Sequence, residues 1–169
     1  MAERKASTRR SFLKVGALAA APLAAAASAE AAAADARTAR LLRLEDEAAI
    51  RDLHQAWLRR VNAGAVQEAA RLFADPRRAA LEGGLSRIAA DHAAEPDRVE
   101  VEADGRRATA RYGCLVELET ALPTDCTLAQ MARAQGSGVL RRSERRVLEA
   151  AYVKAGERWA IARLELRPV

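Results

Sequence analysis

The sequence is poor in aromatic residues, cysteine and histidine. Its 169 residues include two tryptophans, two tyrosines, two phenylalanines, two cysteines and two histidines. The cysteines and histidines are enough in number for a zinc site, but no pair of them has a ligand spacing such as C-x₂-C or H-x₃-H. We therefore expect neither a metal ion nor another cofactor.

The chain also lacks a strong net charge once its N-terminus is set aside. The formal net charge is +5, but residues 1–29 hold five basic residues and one acidic residue, so the remainder carries about +1. A near-neutral domain has no electrostatic footprint for nucleic acid, and we expect no nucleic-acid partner. The length fits one domain of ordinary size.

The N-terminus has the pattern of a twin-arginine export signal. Residues 8–14 read TRRSFLK and match the full consensus, a weakly hydrophobic run follows, and Ala27-Ser28-Ala29 is typical of a cleavage site. The hydrophobic run is too short and too rich in alanine to span a membrane, so we expect membrane contact only during export. The pattern predicts a signal peptide over residues 1–29, a low-complexity spacer over 30–43 and a domain over 44–169, exported folded to the periplasm or the medium.

Two amphipathic helices are predicted at the start of this domain. From Glu45 onward, one face of a 3.6-residue period is almost wholly apolar, and its members are Ile50, Leu53, His54, Trp57, Leu58 and Val61. Asn62-Ala63-Gly64 ends this helix. A shorter helix from Val66 to Phe73 ends at Asp75-Pro76, and a third, weak helical segment is predicted over Ala79–Ala90.

From Arg98 onward the apolar period changes to two, which is typical of strands. Val99 and Val101 precede Asp104-Gly105, which is typical of a hairpin turn. The second strand of this hairpin is predicted over Arg106–Thr120, where apolar residues alternate with polar ones. Alternation resumes over Val139–Lys154 and again over Arg158–Arg167. In the first half of the third of these strands, as far as Leu148, apolar and polar residues no longer alternate and many residues are charged. This indicates a sheet edge, a bulge or a strand that crosses the mouth of the sheet. We predict an α+β fold, with two to three helices on one face of a curved antiparallel sheet of about four strands.

The chain from Leu44 to Val169 resembles the nuclear transport factor 2-like (NTF2-like) superfamily in its SnoaL-like, polyketide cyclase branch. The carriers of the resemblance are the Asn62-Ala63-Gly64 helix end, Ala69–Asp75, the His92 segment leading into Val99–Val101 with Asp104-Gly105, and the closing Tyr152–Lys154 with Arg158–Arg163. The resemblance implies a cone of strongly bent sheet, closed by helices, that binds small hydrophobic molecules.

Two departures from the family's steroid isomerase branch are evident. That branch has a catalytic tyrosine on the inner face of the first helix, where this chain has Trp57, whose indole N–H cannot act as an acid. After Asp75 the sequence continues directly with Pro76-Arg77-Arg78, so the strand expected to bear the base is missing or remodelled. The isomerase mechanism is therefore not carried over.

Three residues are candidates for catalysis. His54 lies in the apolar stripe and either serves as a base inside the cone or is a hydrogen-bonded core residue. His92 stands where SnoaL-like relatives often have a histidine, and a solvated loop residue explains it equally well. Tyr112 lies on the inward face of its strand and is the candidate for orienting a substrate.

The candidate ligand-binding residues are Trp57, Phe73, Trp159, Arg145 and Glu149. The three aromatic residues either line a pocket or fill the core. The sidedness of the two charged residues is not decided by alternation. The arginines around Arg145 form either a solvated ribbon paired with acidic neighbours or a site for an anionic ligand.

Cys114 and Cys126 are an even pair in a chain predicted to be exported, and we predict a disulfide between them. Such a bridge would close a loop of about a dozen residues and stabilise the fold by roughly 3 kcal/mol. The alternative is two reduced cysteines with Cys114 simply buried.

The leading functional expectation is an exported domain that binds a small, largely apolar molecule in its cone. One alternative is an isomerase, cyclase or dehydratase with His54 or His92 as base. Another is a noncatalytic module that forms a homodimer through the outer face of its sheet.

Overall fold

One long helix opens the described part of the chain. The computed structural model describes residues 21–122, 127–136 and 138–169. The chain divides into two compact units, Met1–Leu42 and Arg43–Val169. The elements in chain order are α1 (Ala21–Asn62), α2 (Val66–Ala70), a 3₁₀ helix (Pro76–Arg78), β1 (Leu85–Ala90), β2 (Arg98–Val101), β3 (Arg107–Ala121), α3 (Thr127–Ala134), β4 (Val139–Ala155) and β5 (Arg158–Pro168).

Helix α1 begins well before Glu45, where the apolar stripe starts. Residues 21–44 are rich in alanine, the strongest helix former, and Pro22 is their only helix-breaking residue. From Ala32 to Leu44 the side chains are exposed, including Leu41 and Leu44, and Ile50 is the first residue of this helix in the core. At its other end the helix stops as predicted, because Gly64 adopts a positive φ of 70°.

Helix α2 is shorter than predicted and ends at Ala70 rather than at Phe73. The backbone of the next residues is engaged by β5 instead. The Ile161 N–H donates to the Leu72 carbonyl at 2.9 Å, and the Ala74 N–H donates to the Ile161 carbonyl at 2.8 Å. These bonds place Phe73 beside Ile161 in the core.

The helix predicted over Ala79–Ala90 is wrong, because this segment contains strand β1. Gly84, with φ of 81°, interrupts any helix there, and β1 pairs antiparallel with Cys114–Leu118 of β3. The apolar residues Leu81, Leu85 and Ile88 have the spacing of a helical face, and Leu85 and Ile88 both pair with buried residues of β3 only because the pairing is irregular between Leu85 and Arg87. Pairing with β3 therefore decides the local structure.

The sheet has five antiparallel strands, one more than predicted. Strands β1, β3, β4 and β5 are neighbours in that order, and β2 pairs with the Ala108–Arg111 part of β3, on the same edge as β1. The hairpin at Asp104-Gly105 is confirmed, with Gly105 at φ of 63°. The coarse α+β class is confirmed.

Alternation in β3 is also confirmed, because six of its residues form the buried face of the sheet: Ala108, Ala110, Tyr112, Cys114, Val116 and Leu118. They pack with Ile50, Trp57, Leu148 and Ile161 in one core.

The charged half of β4 is a sheet edge. It pairs regularly with β3, but β5 pairs with β4 only from Arg146 to Ala155. Within the described residues, Val139–Arg145 therefore has a strand on one side only. The irregularity in the β4–β5 pairing lies elsewhere, because Ala151 pairs with Arg163 and Tyr152 with Ile161, which makes Ala162 of β5 the extra residue.

Candidate functional site

A buried polar cluster lies where helix α1 meets β3 and β4. His54 is only 4% exposed, and its ring is stacked on the ring of Tyr112 with 3.7 Å between centroids and an interplanar angle of 3°. Trp57, one turn further along the helix, lies 6.0 Å from His54, centroid to centroid. The structure thus brings three of the predicted site residues together.

Tyr152 on β4 completes the cluster and was not identified from the sequence. Its hydroxyl lies 3.3 Å from the Tyr112 hydroxyl, in a buried hydrogen bond in which either can donate. Tyr152 is in phase with the buried Leu148 and Ala150, so the resumption of alternation in β4 was a signal that could have found it.

Hydrogen-bonding capacity in this cluster is only partly used. The two phenols carry two O–H donors but share one hydrogen bond, so one donor has no acceptor within the described residues. The Nδ1 atom of His54 is buried and has no hydrogen-bond partner among those residues either. Buried polar groups in proteins are nearly always hydrogen-bonded, so a phenol O–H and an imidazole nitrogen without partners are unusual in such an interior.

Burial controls the protonation of these groups. It lowers the pKa of His54 from 6.5 to about 4, so the imidazole is neutral at pH 7. Burial also raises the pKa of Tyr112, against the opposing effect of its hydrogen bond to Tyr152. The pKa of Tyr152 is raised as well, mainly by burial. At neutral pH the cluster is uncharged.

Charged residues act on the cluster from the segment before β2 and from helix α1. Burial raises the pKa of Asp97, and the electrostatic effects of Arg51 and His92 oppose this rise. The negative charge of Asp97 in turn raises the pKa of Tyr112, and the charge of Arg51 lowers it.

The remaining predicted residues do not join this cluster. His92 is exposed in the turn after β1. Arg145 is exposed and pairs with Asp91 at 3.3 Å. Glu149 pairs with Arg167 at 2.8 Å on the face of β4 opposite the buried Tyr152. The other arginines of the charged half of β4 also have carboxylate partners, as in the pairs Arg141–Glu119 and Arg142–Glu144.

Trp159 belongs to a second polar cluster, at the beginning of the apolar stripe of α1. Its indole N–H donates to Asp46 at 2.8 Å, and the ammonium of Lys154 donates to the same carboxylate oxygen at 2.7 Å. Burial would raise the pKa of Asp46, but the two hydrogen bonds and the charge of Lys154 outweigh it, and the pKa is lowered. This cluster ties the helix to the β4–β5 hairpin, and Phe73 lies in the core rather than beside it.

Cys114 is a free, buried cysteine whose thiol donates to the Arg146 carbonyl at 3.3 Å. Burial raises the pKa of this thiol to about 11, which makes it unreactive. Cys126 lies outside the described residues, so the disulfide stays a prediction.

Among the described residues, no group of three or more histidine, cysteine, aspartate or glutamate side chains is placed to hold a metal ion. None of the helices in that part of the chain is both long enough and apolar enough to cross a membrane.

Comparison with known proteins finds no family that matches the chain and no match among curated proteins. The geometry of the site is therefore the basis for a functional assignment.

Proposed function

We propose that residues 44–169 form an NTF2-like domain of the SnoaL-like branch, with the sheet curved into a cone around helix α1. Three features support this fold. Ile50, His54 and Trp57 present one face of the helix to the sheet, and the long strands β3, β4 and β5 follow one another in antiparallel order. Opposite Ala151 and Tyr152, strand β5 has one extra residue, Ala162, and a bulge of this kind increases the local twist of a sheet.

The domain binds a small, largely apolar molecule in the interior of this cone. The observation that carries the proposal is the unpartnered Nδ1 of His54 beside a tyrosine pair with one unused O–H, all within the described residues. Leaving a buried polar atom unpaired costs about 1–3 kcal/mol. A ligand carbonyl would accept the free O–H, and a ligand hydroxyl would pair with His54. The apolar remainder of the ligand would lie against Trp57 and its neighbours.

Binding is favoured over catalysis by the protonation of the candidate bases. An effective general base has a pKa near the working pH, whereas the pKa of His54 is about 4. His92, the other candidate, is exposed and lies outside the buried cluster. These features speak against an isomerase, cyclase or dehydratase that uses a histidine base.

A dimer through the outer face of the sheet is also less favoured. That face carries a ladder of ion pairs in which Glu149 contacts Arg111 and Arg167, and Arg163 contacts Glu165. The cores of protein interfaces are depleted of such charges.

Export by the twin-arginine pathway is part of the proposal. The motif and the hydrophobic run to residue 20 lie outside the described residues. Mass spectrometry of the protein recovered from a bacterial periplasm would place the mature N-terminus close to residues 29–34. Recovery of the intact chain from the cytoplasm alone would contradict export.

Native mass spectrometry tests the binding function. The complete sequence is expressed in a bacterium, purified without detergent and compared with three variants. We expect the wild-type protein to carry an additional mass that denaturation releases. His54→Phe should lose most of it because it removes the unpartnered nitrogen, and the double variant Tyr112→Phe/Tyr152→Phe should lose most of it because it removes both phenol hydroxyls. His92→Gln, a change at an exposed residue, should retain it.

The opposite result is equally clear. If the wild-type protein carries no additional mass, and His54→Phe is more stable than wild type at neutral pH, the cluster is a core with a polar defect. The binding function would then be wrong.

A further inference from the structure

A second concave site lies between helix α1 and strand β1, apart from the buried cluster. It is an open groove of about 520 Å³, a volume in the range of small-molecule sites. Its lining includes Leu58, Arg59 and Asn62 from the helix and Arg87, Ile88 and Ala90 from the strand. His54, Tyr112 and Tyr152 are not among its lining residues.

The wall of the groove on the strand side is a sheet edge closed by one side chain. The Asn62 amide donates to the Ile88 carbonyl at 2.7 Å and accepts from the Ile88 N–H at 2.9 Å, as a neighbouring strand would. The Asp91 N–H bonds to Gly113 of β3, so alternation directs the backbone groups of Ala90 away from β3. Ala90 therefore offers an N–H donor on the groove side of β1.

The charges of the groove point to an anion. Arg59 and Arg87 are both exposed, and neither has a carboxylate partner within the described residues. Elsewhere in that part of the chain, Arg51, Arg98 and Arg145 each pair with an acidic side chain, whereas the exposed Arg71 and Arg158 do not. Arg59 and Arg87 differ from the latter two because both line one concave surface. The lining, as far as the structure describes the chain, holds no acidic residue. Two guanidinium groups without a counter-ion complement one carboxylate.

Apart from the amide side chains of Gln55 and Asn62, the rest of the lining is aliphatic. Leu58 is half-buried on the helix side, and Ala89 is half-buried on the strand side. No aromatic residue of the described ranges lines the groove, so a planar ring of a ligand would find no aromatic side chain to stack on. These surfaces suit a short alkyl chain.

We propose that the groove between α1 and β1 binds a small amphipathic carboxylate, held by Arg59 and Arg87 with its alkyl chain against Leu58 and Ala89. This site is independent of the interior cluster, because it uses other side chains and carries a charge preference that the neutral cluster lacks.

The test is an NMR titration of the full-length, ¹⁵N-labelled protein with octanoate. Octan-1-ol and octylammonium serve as neutral and cationic probes of the same length. We expect octanoate to shift the backbone amides of residues 55–63 and 87–90 in a saturable way. The alcohol should bind about ten-fold more weakly, since it loses the charge-assisted hydrogen bonds. The ammonium probe should bind most weakly.

Variants assign the two arginines. Arg59→Gln and Arg87→Gln should each weaken octanoate binding by about ten-fold, while leaving the affinity for octan-1-ol unchanged. Both residues are exposed, so folding should be retained and is checked by the dispersion of the spectrum. Arg158→Gln, which changes an exposed arginine at the start of β5, is the matched control and should bind as the wild type does.

Three outcomes would overturn the proposal. The first is the absence of saturable shifts with octanoate, and the second is octanoate binding that is no tighter than that of octan-1-ol. The third is a set of shifts centred on Trp57 and Tyr112, which would place the probe in the interior and leave the groove without a ligand.

Discussion

Protonation of His54 should destabilise the folded domain over a defined pH range. The pKa of His54 is lowered from 6.5 to about 4, and the cause is burial. The folded state therefore binds the proton less well than the unfolded state does. The stability contributed by the neutral imidazole is fully present above pH 6.5 and is lost as the pH falls toward 4.

The magnitude follows from the difference between the two pKa values. With about 1.36 kcal/mol for each pH unit between them, the loss is about 2 kcal/mol at pH 5 and about 3 kcal/mol at pH 4. A domain of this size has a total stability of about 5–15 kcal/mol, so the effect is measurable without complete unfolding.

Urea unfolding at pH 7, 5 and 4 measures this contribution when wild type is compared with His54→Phe. The comparison at each pH removes the contributions of carboxylates, among them Asp46 and Asp97, whose pKa values are lowered and raised respectively. We expect the stability of His54→Phe relative to wild type to increase by about 3 kcal/mol between pH 7 and pH 4.

His92 provides the matched control, because it is the other histidine of the chain and is exposed. His92→Gln should follow the wild-type pH profile. A stability difference between His54→Phe and wild type that is the same at pH 7 and pH 4 would refute the reasoning. So would an NMR titration of His54 with a midpoint near 6.5.

Two further predictions concern contacts that hold the fold together. Asp46→Asn removes the negative charge that Lys154 contacts at 2.7 Å. Because the pair is partly solvated, we expect the free energy of unfolding to fall by about 1–2 kcal/mol in thermal unfolding. If Asp46→Asn lowers the stability of a Lys154→Met variant by the same amount, the two residues are not coupled. Gly113→Ala would place its Cβ against the Cβ of Ala94, so the segment between β1 and β2 must shift. We expect the free energy of unfolding, measured with urea, to fall by about 1–3 kcal/mol. The control is Gly83→Ala, where an added Cβ meets nothing within 4 Å; if both variants are equally stable, the contact with Ala94 is unimportant.

The parts of the fold that could be predicted are those in which local pattern and tertiary contact agree. The face of β3 that contains Tyr112 alternates with charged residues, and its burial follows from that period alone. Strand β1 could not be predicted in this way. It is six residues long, and Leu85 and Ile88 are three residues apart, which is a helical spacing that a strand accommodates here only through the irregularity between Leu85 and Arg87. Its strand structure comes from hydrogen bonds to β3, which is remote in sequence.

The site shows the same division. His54 and Tyr112 are on strongly periodic elements, and the sequence indicated that both point inward. Arg145 and Glu149 lie in or beside the stretch of β4 that has a free edge and charged residues on both faces, so hydrophobic periodicity carries no information there. Their side chains pair with Asp91 and Arg167 from other segments, and such pairings cannot be derived from the order of residues.

The two hydrogen bonds between Asn62 and Ile88 have a consequence for how the domain opens. Asn62 is the last residue of helix α1, and its side chain covers the free edge of β1. Fraying of the last helical turn therefore uncovers a strand whose backbone groups then lack that partner. Local unfolding at the end of the helix therefore also exposes an unpaired strand edge that can pair with another molecule. Conditions that loosen that turn should promote self-association before the core itself unfolds.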